Sequence, residues 1–239
     1  MGSFGHPRRT LRALWPQLSA GSPDAVHEVR KLTRRVQAQV RVARSPRATR
    51  RAWRDLRRAV AGVRDRDAAG AHLLQALRDL GVSDSERATF QAAWKADREA
   101  RFAGVTLPPL PPTVKKPRHW KARTRTLLSR DARALIEEGD RVMDSWHVED
   151  WHTWRRHLKR YRYTHALLDG PPNTLLRVLD DLGRMQDAHV IGQVLGAEAW
   201  LPEYRDALLE REEHARLAAE ARVRRGWPAL RRRLAAQAS

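Results

Sequence analysis

Cysteine is absent from all 239 residues, which excludes disulfide scaffolding, thiolate metal sites and a cysteine nucleophile. Long apolar runs are missing as well, and no stretch approaches the roughly 18 residues that mark a membrane-spanning helix. The first 18 residues carry Arg8, Arg9 and Arg12 without an apolar core. A secretory signal is therefore not expected, and cytoplasmic location is the default expectation. Signature loops of catalysis are lacking too: there is no Gly-rich phosphate loop, no G-x-S-x-G and no H-E-x-x-H. Acidic residues are scarce, with 28 Asp+Glu facing 47 Lys+Arg, a net charge of +19 and a pI near 11.5. Such an excess attracts polyanions over about a Debye length, roughly 8 Å at physiological salt. Nucleic acid, polyphosphate, anionic membrane and acidic proteins are the partner classes it admits.

What is present reads as helix almost throughout, with no period-2 alternation framed by turn residues. Pro23, Pro46 and Pro172 stand where helices would begin, as do Asp24, Ser45 and the Ser83-Asp84 pair. Composition breaks once, at Thr106 to Pro117, where five prolines predict a semi-rigid linker. The expected organisation is one domain over 1–239, with halves at 1–105 and 118–239 joined by the linker 106–117.

Those halves echo one another. Val26-His27-Glu28-Val29-Arg30-Lys31 aligns with Trp151-His152-Thr153-Trp154-Arg155-Arg156 at an offset of 125, and Arg34-Arg35 falls on Lys159-Arg160. Val63-Arg64-Asp65 answers Met185-Gln186-Asp187 at an offset of 122. Each half then ends in a long charged helix, near 84–104 and 198–225. The pattern predicts an internal duplication of an all-helical unit.

At about 100° per residue, His27, Arg30, Lys31, Arg34 and Arg41 fit a sector of about 100°. Val29, Leu32, Val36, Val40 and Ala43 gather on another face and supply a core stripe. His152, Arg155, Arg156, Lys159 and Tyr163 repeat the sector in the second half, beside an apolar side of Trp151, Trp154, Leu158, Tyr161 and Leu168. Like charges at i,i+4 destabilise a helix by a few tenths of a kcal/mol each, roughly. Stacking them twice calls for an offsetting cause: a bound polyanion, or acidic partners on neighbouring helices. A solvated face is the plain alternative, and the matched spacing with a histidine heading each row argues against it.

The segments His27 to Arg35 and His152 to Arg160 resemble the signature of the conserved histidine α-helical domain, CHAD. WHTWRRHLKRYRY is the closer copy and brings in Arg162 and Tyr163; GVRDRD (62–67) and LGRMQD (182–187) are similar to the family's short acidic turns. The likeness spans about residues 4–235. It implies two four-helix bundles related by a pseudo-two-fold axis, with both basic helices facing a shared groove that binds inorganic polyphosphate. The implied contacts are His27, Arg30, Lys31, Arg34, Arg35, His152, Arg155, Arg156, Lys159, Arg160 and Arg162. Gln37 departs from the pattern, standing where an arginine is expected opposite Arg162, and Lys31 is lysine where Arg156 is arginine.

Other groupings carry less. Asp65, Asp67 and Asp187 lie in Arg-rich surroundings and read as caps or salt bridges to a basic row. His152 and His157 lie about 140° apart on a helix, so a zinc pair is not expected. Of the nine tryptophans, Trp15, Trp53, Trp94, Trp146, Trp151, Trp154, Trp200 and Trp227 recur at apolar helix positions and read as core, base stacking being the other possibility. Arg47, Arg50, Arg51, Arg54, Arg57 and Arg58 form a second basic region that either widens the site or keeps the surface wet. The resulting expectation is an all-α, non-enzymatic polyphosphate-binding module without cofactor or metal. Polyphosphate granules are a further association, nucleic acid is the weaker competitor, and no membrane is involved. The alternative is a nucleic-acid-binding protein using the same stripe.

Overall fold

The computed structural model describes residues 4–197 and 200–239. Among them the chain is all-helical, without strands: α1 (Pro7–Ser19), α2 (Pro23–Val42), α3 (Arg47–Ala59), α4 (Ala61–Asp79), α5 (Asp84–Ala103), α6 (Trp120–Met143), α7 (Val148–His165), α8 (Asn173–Ala197) and α9 (Arg205–Ala238). Local chemistry sets several of these boundaries. Ser22 caps α2, its hydroxyl accepting from the Ala25 amide at 3.4 Å, and Pro23 fills the first turn. Ser83 and Glu86 close a reciprocal capping box at the start of α5.

Three apolar cores hold the helices. Leu11, Leu18, Val29, Val36 and Leu56 join α1, α2 and α3 in the first. Leu128, Leu135, Trp154, Leu158, Leu182 and Trp227 join α6 to α9 in the second. The third combines Leu73 and Leu77 of α4 with Phe90 and Trp94 of α5, and adds Ile191 and Leu195 of α8 and Leu208 of α9. The first half therefore contributes five helices, and they divide between two cores. Its α4–α5 pair shares the third core with the far ends of α8 and α9. Buried Glu212 of α9 braces this crossing. It accepts from Arg184 and Arg211 at 2.5 Å and pairs with His72 at 2.9 Å. Burial pushes its carboxyl up, but the hydrogen bonds from His72 and Arg184 outweigh that and hold it at about 2.

Several boundaries differ from the sequence reading. Prolines do not mark every break: α3 ends at Ala59 although none is near, and α9 runs through Pro228 to Ala238. The long charged helix expected over 198–225 starts at Arg205, after a 3-10 turn at Pro202–Tyr204; residues 198–199 of that range lie outside the described residues. The proline-rich stretch is non-helical and lies against the first core. Val114 is buried there, and the Trp53 indole donates to the Pro112 carbonyl at 3.0 Å. Six tryptophans (53, 94, 120, 151, 154 and 227) are buried, as core positions should be, while Trp146 is almost fully exposed. No helix among the described residues is long and apolar enough to cross a membrane.

Candidate functional site

The two histidine-headed rows lie on α2 and α7, and these helices pack against each other. Their apolar faces are committed to core, through Val29, Val36 and Val40 on α2 and Trp154, Leu158 and Tyr161 on α7. The cations between those faces are thereby turned toward the junction. At one end, Arg41 of α2 forms a bidentate pair with buried Asp131 of α6, one of its bonds being 2.5 Å. That contact pins α2 to the second half.

A cleft of ≈ 520 Å³ opens along the junction. Arg30 and Arg34 of α2, Arg57 and Arg58 of α3, and Arg155, Arg156, Lys159 and Arg160 of α7 line it. Six predicted residues are thus brought together: Arg30, Arg34, Arg155, Arg156, Lys159 and Arg160. The other five are not. His27 is exposed and accepts a hydrogen bond on Nδ1 from Arg64 at 3.1 Å. Lys31 pairs with Glu28 at 2.8 Å, and Arg35 is exposed outside the cleft. Arg162 lines a neighbouring recess of ≈ 390 Å³ that shares Arg155 and Lys159 with the cleft. His152 borders an adjoining hollow that shares Arg155 with the cleft, against His189 at 5.1 Å between ring centroids. Burial and the nearby His189 push its pKa below the usual histidine value. Each histidine thus lies beside a neighbour from another helix, Arg64 of α4 for His27 and His189 of α8 for His152.

The cleft is electrostatically frustrated. Lys159 is pushed down to about 7, by burial first and then by Arg155 and Arg34, with Asp187 opposing. Arg155 is lowered by burial and by Arg34, against the pull of Asp187. Arg34 belongs to α2, so the two rows share one field. Arg30 is lowered by burial despite Asp65, which accepts from it at 3.3 Å. Arg160 is lowered by burial and by Arg41. The buried Nε atoms of Arg155 and Arg160 have no hydrogen-bond partner. A donor left in that state costs about 1–3 kcal/mol, more when it is charged. Two acidic side chains are matched to this arrangement: Asp65 meets Arg30 across α2 and α4, and Asp187 acts on Arg155 and Lys159 from α8. Asp65 thereby fills the salt-bridge role expected of its acidic turn, while Asp187 attracts its cations through space. No cluster of three or more His, Asp or Glu suited to a metal ion occurs among the described residues.

The sequence marks Gln37 as a departure from the basic pattern without saying what compensates for it, and it does not decide the role of Arg57 and Arg58. Gln37 Oε1 accepts from the Arg57 guanidinium at 2.7 Å. The cation missing from the first row at position 37 is thus supplied from α3. A signal for this did exist: Arg47, Arg50, Arg51, Arg54, Arg57 and Arg58 occupy one helical face of about 120°.

Fold and cleft together define an all-helical protein whose two cationic helices meet at a groove with few counter-charges. The chain belongs to the CHAD domain family, which matches residues 4–196. Among solved structures it is similar to PptA from Streptomyces chartreusis, with 18% identity and a TM-score of 0.63. The match covers 94% of this chain and 97% of that one, and it speaks to the fold. No curated protein matches.

Proposed function

We propose that this chain binds inorganic polyphosphate in the cleft between α2 and α7 and catalyses no reaction on it. One observation carries the reading: Arg34, Arg155 and Lys159, drawn from both rows, share a half-buried space in which burial and mutual repulsion outweigh the available carboxylate. A chain of phosphates relieves every element of that strain. It lends negative charge, and its oxygens accept from the orphaned Arg155 and Arg160 Nε–H groups. Arginine forks suit phosphoryl oxygens, while Lys159 serves as a point charge. Membership of the CHAD family supports the ligand class. Matched rows on α2 and α7 support a duplicated ancestry with the groove at the pseudo-two-fold junction. On this reading α3 and α4 together answer the single helix α8, and α5 answers α9.

Competition tests the reading. Long-chain polyphosphate, single-stranded RNA and duplex DNA are compared at matched phosphate concentration in about 150 mM salt. Polyphosphate should win clearly, and its affinity should fall steeply with salt, each neutralised phosphate contributing roughly 0.7–0.9 to the log–log slope. RNA binding as tightly would replace polyphosphate with nucleic acid as the ligand.

A further inference from the structure

A second basic cleft adjoins the first. It measures ≈ 620 Å³, and arginines make up most of its lining, with no acidic residue. Gln37, Arg57 and Arg160 belong to both clefts, so the two are continuous. The new wall is α3, anchored from behind by buried Thr49, Trp53 and Leu56 and by the indole bond to Pro112. That anchorage leaves Arg47, Arg50, Arg51 and Arg54 exposed on the open side. Arg41 is paired with Asp131 of α6, and Asp55 is the carboxylate that reaches the arginines of α3. It reaches Arg51 at 3.7 Å and Arg54 at 3.5 Å, weak exposed contacts for a face so charged. Arg57, at the junction, is lowered by burial and by Arg34, Arg58 and Arg54, and its hydrogen-bonding partner is the neutral Gln37.

We propose that the polyphosphate track continues past Gln37 and Arg57 onto α3, forming an arm that only long chains reach. The inference rests on the function proposed above and adds chain-length selection to it. A short oligophosphate is fully used by the central cations of α2 and α7. A longer one leaves the cleft past Arg160 and Arg57, and its remaining phosphates meet the guanidinium groups of α3. Each further contact releases counterions and so steepens the dependence on salt.

The test compares tripolyphosphate with long-chain polyphosphate on the full chain and on the fourfold variant R47Q/R50Q/R51Q/R54Q. A charge-matched control, R222Q/R225Q/R231Q/R232Q on α9, accounts for net charge alone. The replaced α3 side chains are exposed, and unchanged helical circular dichroism and melting confirm the fold. The expected result is unchanged tripolyphosphate affinity within about twofold. Long-chain affinity should fall tenfold or more, with a salt slope shallower by about 3–3.5 from four lost contacts at roughly 0.7–0.9 each. The α9 control should keep its long-chain preference. Loss of both ligands in equal measure, loss of neither, or the same loss in the α9 control each overturns the arm. If the unmodified chain binds neither polyphosphate, the underlying function falls and the arm falls with it, a result distinct from the other three.

Discussion

Replacing Lys159 by methionine separates what the cleft needs from what the fold prefers. A free lysine titrates near 10.4, so a folded value of about 7 represents a penalty of roughly 5 kcal/mol on the charged ammonium. The unfolded chain keeps this proton to about pH 10 and the folded chain only to about pH 7. Between those values the unfolded state holds more protons, so this group makes stability rise with pH across that window. Below about pH 7 the penalty is present in full. Methionine fills similar space without the charge. Allowing for counterion screening of about half the penalty, the variant should gain about 2.5 kcal/mol at pH 6, or about 5–10 °C in Tm for a chain of this size. The gap should close toward pH 10. Affinity for tripolyphosphate should move the other way, dropping by roughly 10- to 150-fold as a charge-assisted contact worth roughly 1.5–3 kcal/mol is lost. Calorimetric melts at about pH 6, 7.5 and 9.5, with and without tripolyphosphate, read both effects over the window set by linkage. A Tm gap that ignores pH, or a variant less stable at acid pH, refutes the electrostatic account of the cleft.

Three further outcomes are expected. Charge reversal of Arg30 and Arg34, or of Arg155 and Lys159, should each abolish bridging across the cleft, and combining them should cost little more; calorimetry with a defined chain length showing half the capacity at unchanged affinity would instead mean two separate sites. Gly139→Ala places a Cβ 2.4 Å from the Trp227 ring and should destabilise by about 1–3 kcal/mol through overpacking, measured by urea unfolding, whereas Gly192→Ala, which meets nothing within 4 Å, should not. Incubation of polyphosphate with the chain and Mg²⁺ or Mn²⁺ should release no phosphate above a protein-free control, and turnover lost on Asp187→Ala would make the chain an enzyme.

The rows on α2 and α7 were legible because helical periodicity is local: side chains three and four residues apart share a face whatever surrounds them. Arg30, Arg34, Arg155 and Lys159 followed from spacing alone. The histidines show where the helical wheel stops. His27 shares a sector with Arg30, but α4 brings Arg64 against it, and no spacing within α2 announces that neighbour. Arg57 stayed undecided for the same reason, since its bond to Gln37 joins residues 20 apart. Helix ends at Ala59 and beyond Pro228 were hidden because tertiary packing overrides the local preferences that proline and glycine signal.

The third core also bears on how the chain is made. Synthesis delivers α4 and α5 early, yet Ile191, Leu195 and Leu208, which complete their packing, come more than 100 residues later than Leu77. At roughly 5–20 residues per second, the apolar face of that pair waits several seconds for its partners. During that interval the side of Leu73, Leu77, Phe90 and Trp94 that later meets α8 and α9 lacks those partners. Cutting the chain between its halves would make the wait permanent, so the piece ending at the proline-rich stretch should aggregate unless the remainder is supplied in trans. The third core thus spans the proline-rich stretch, joining α4 and α5 to α8 and α9.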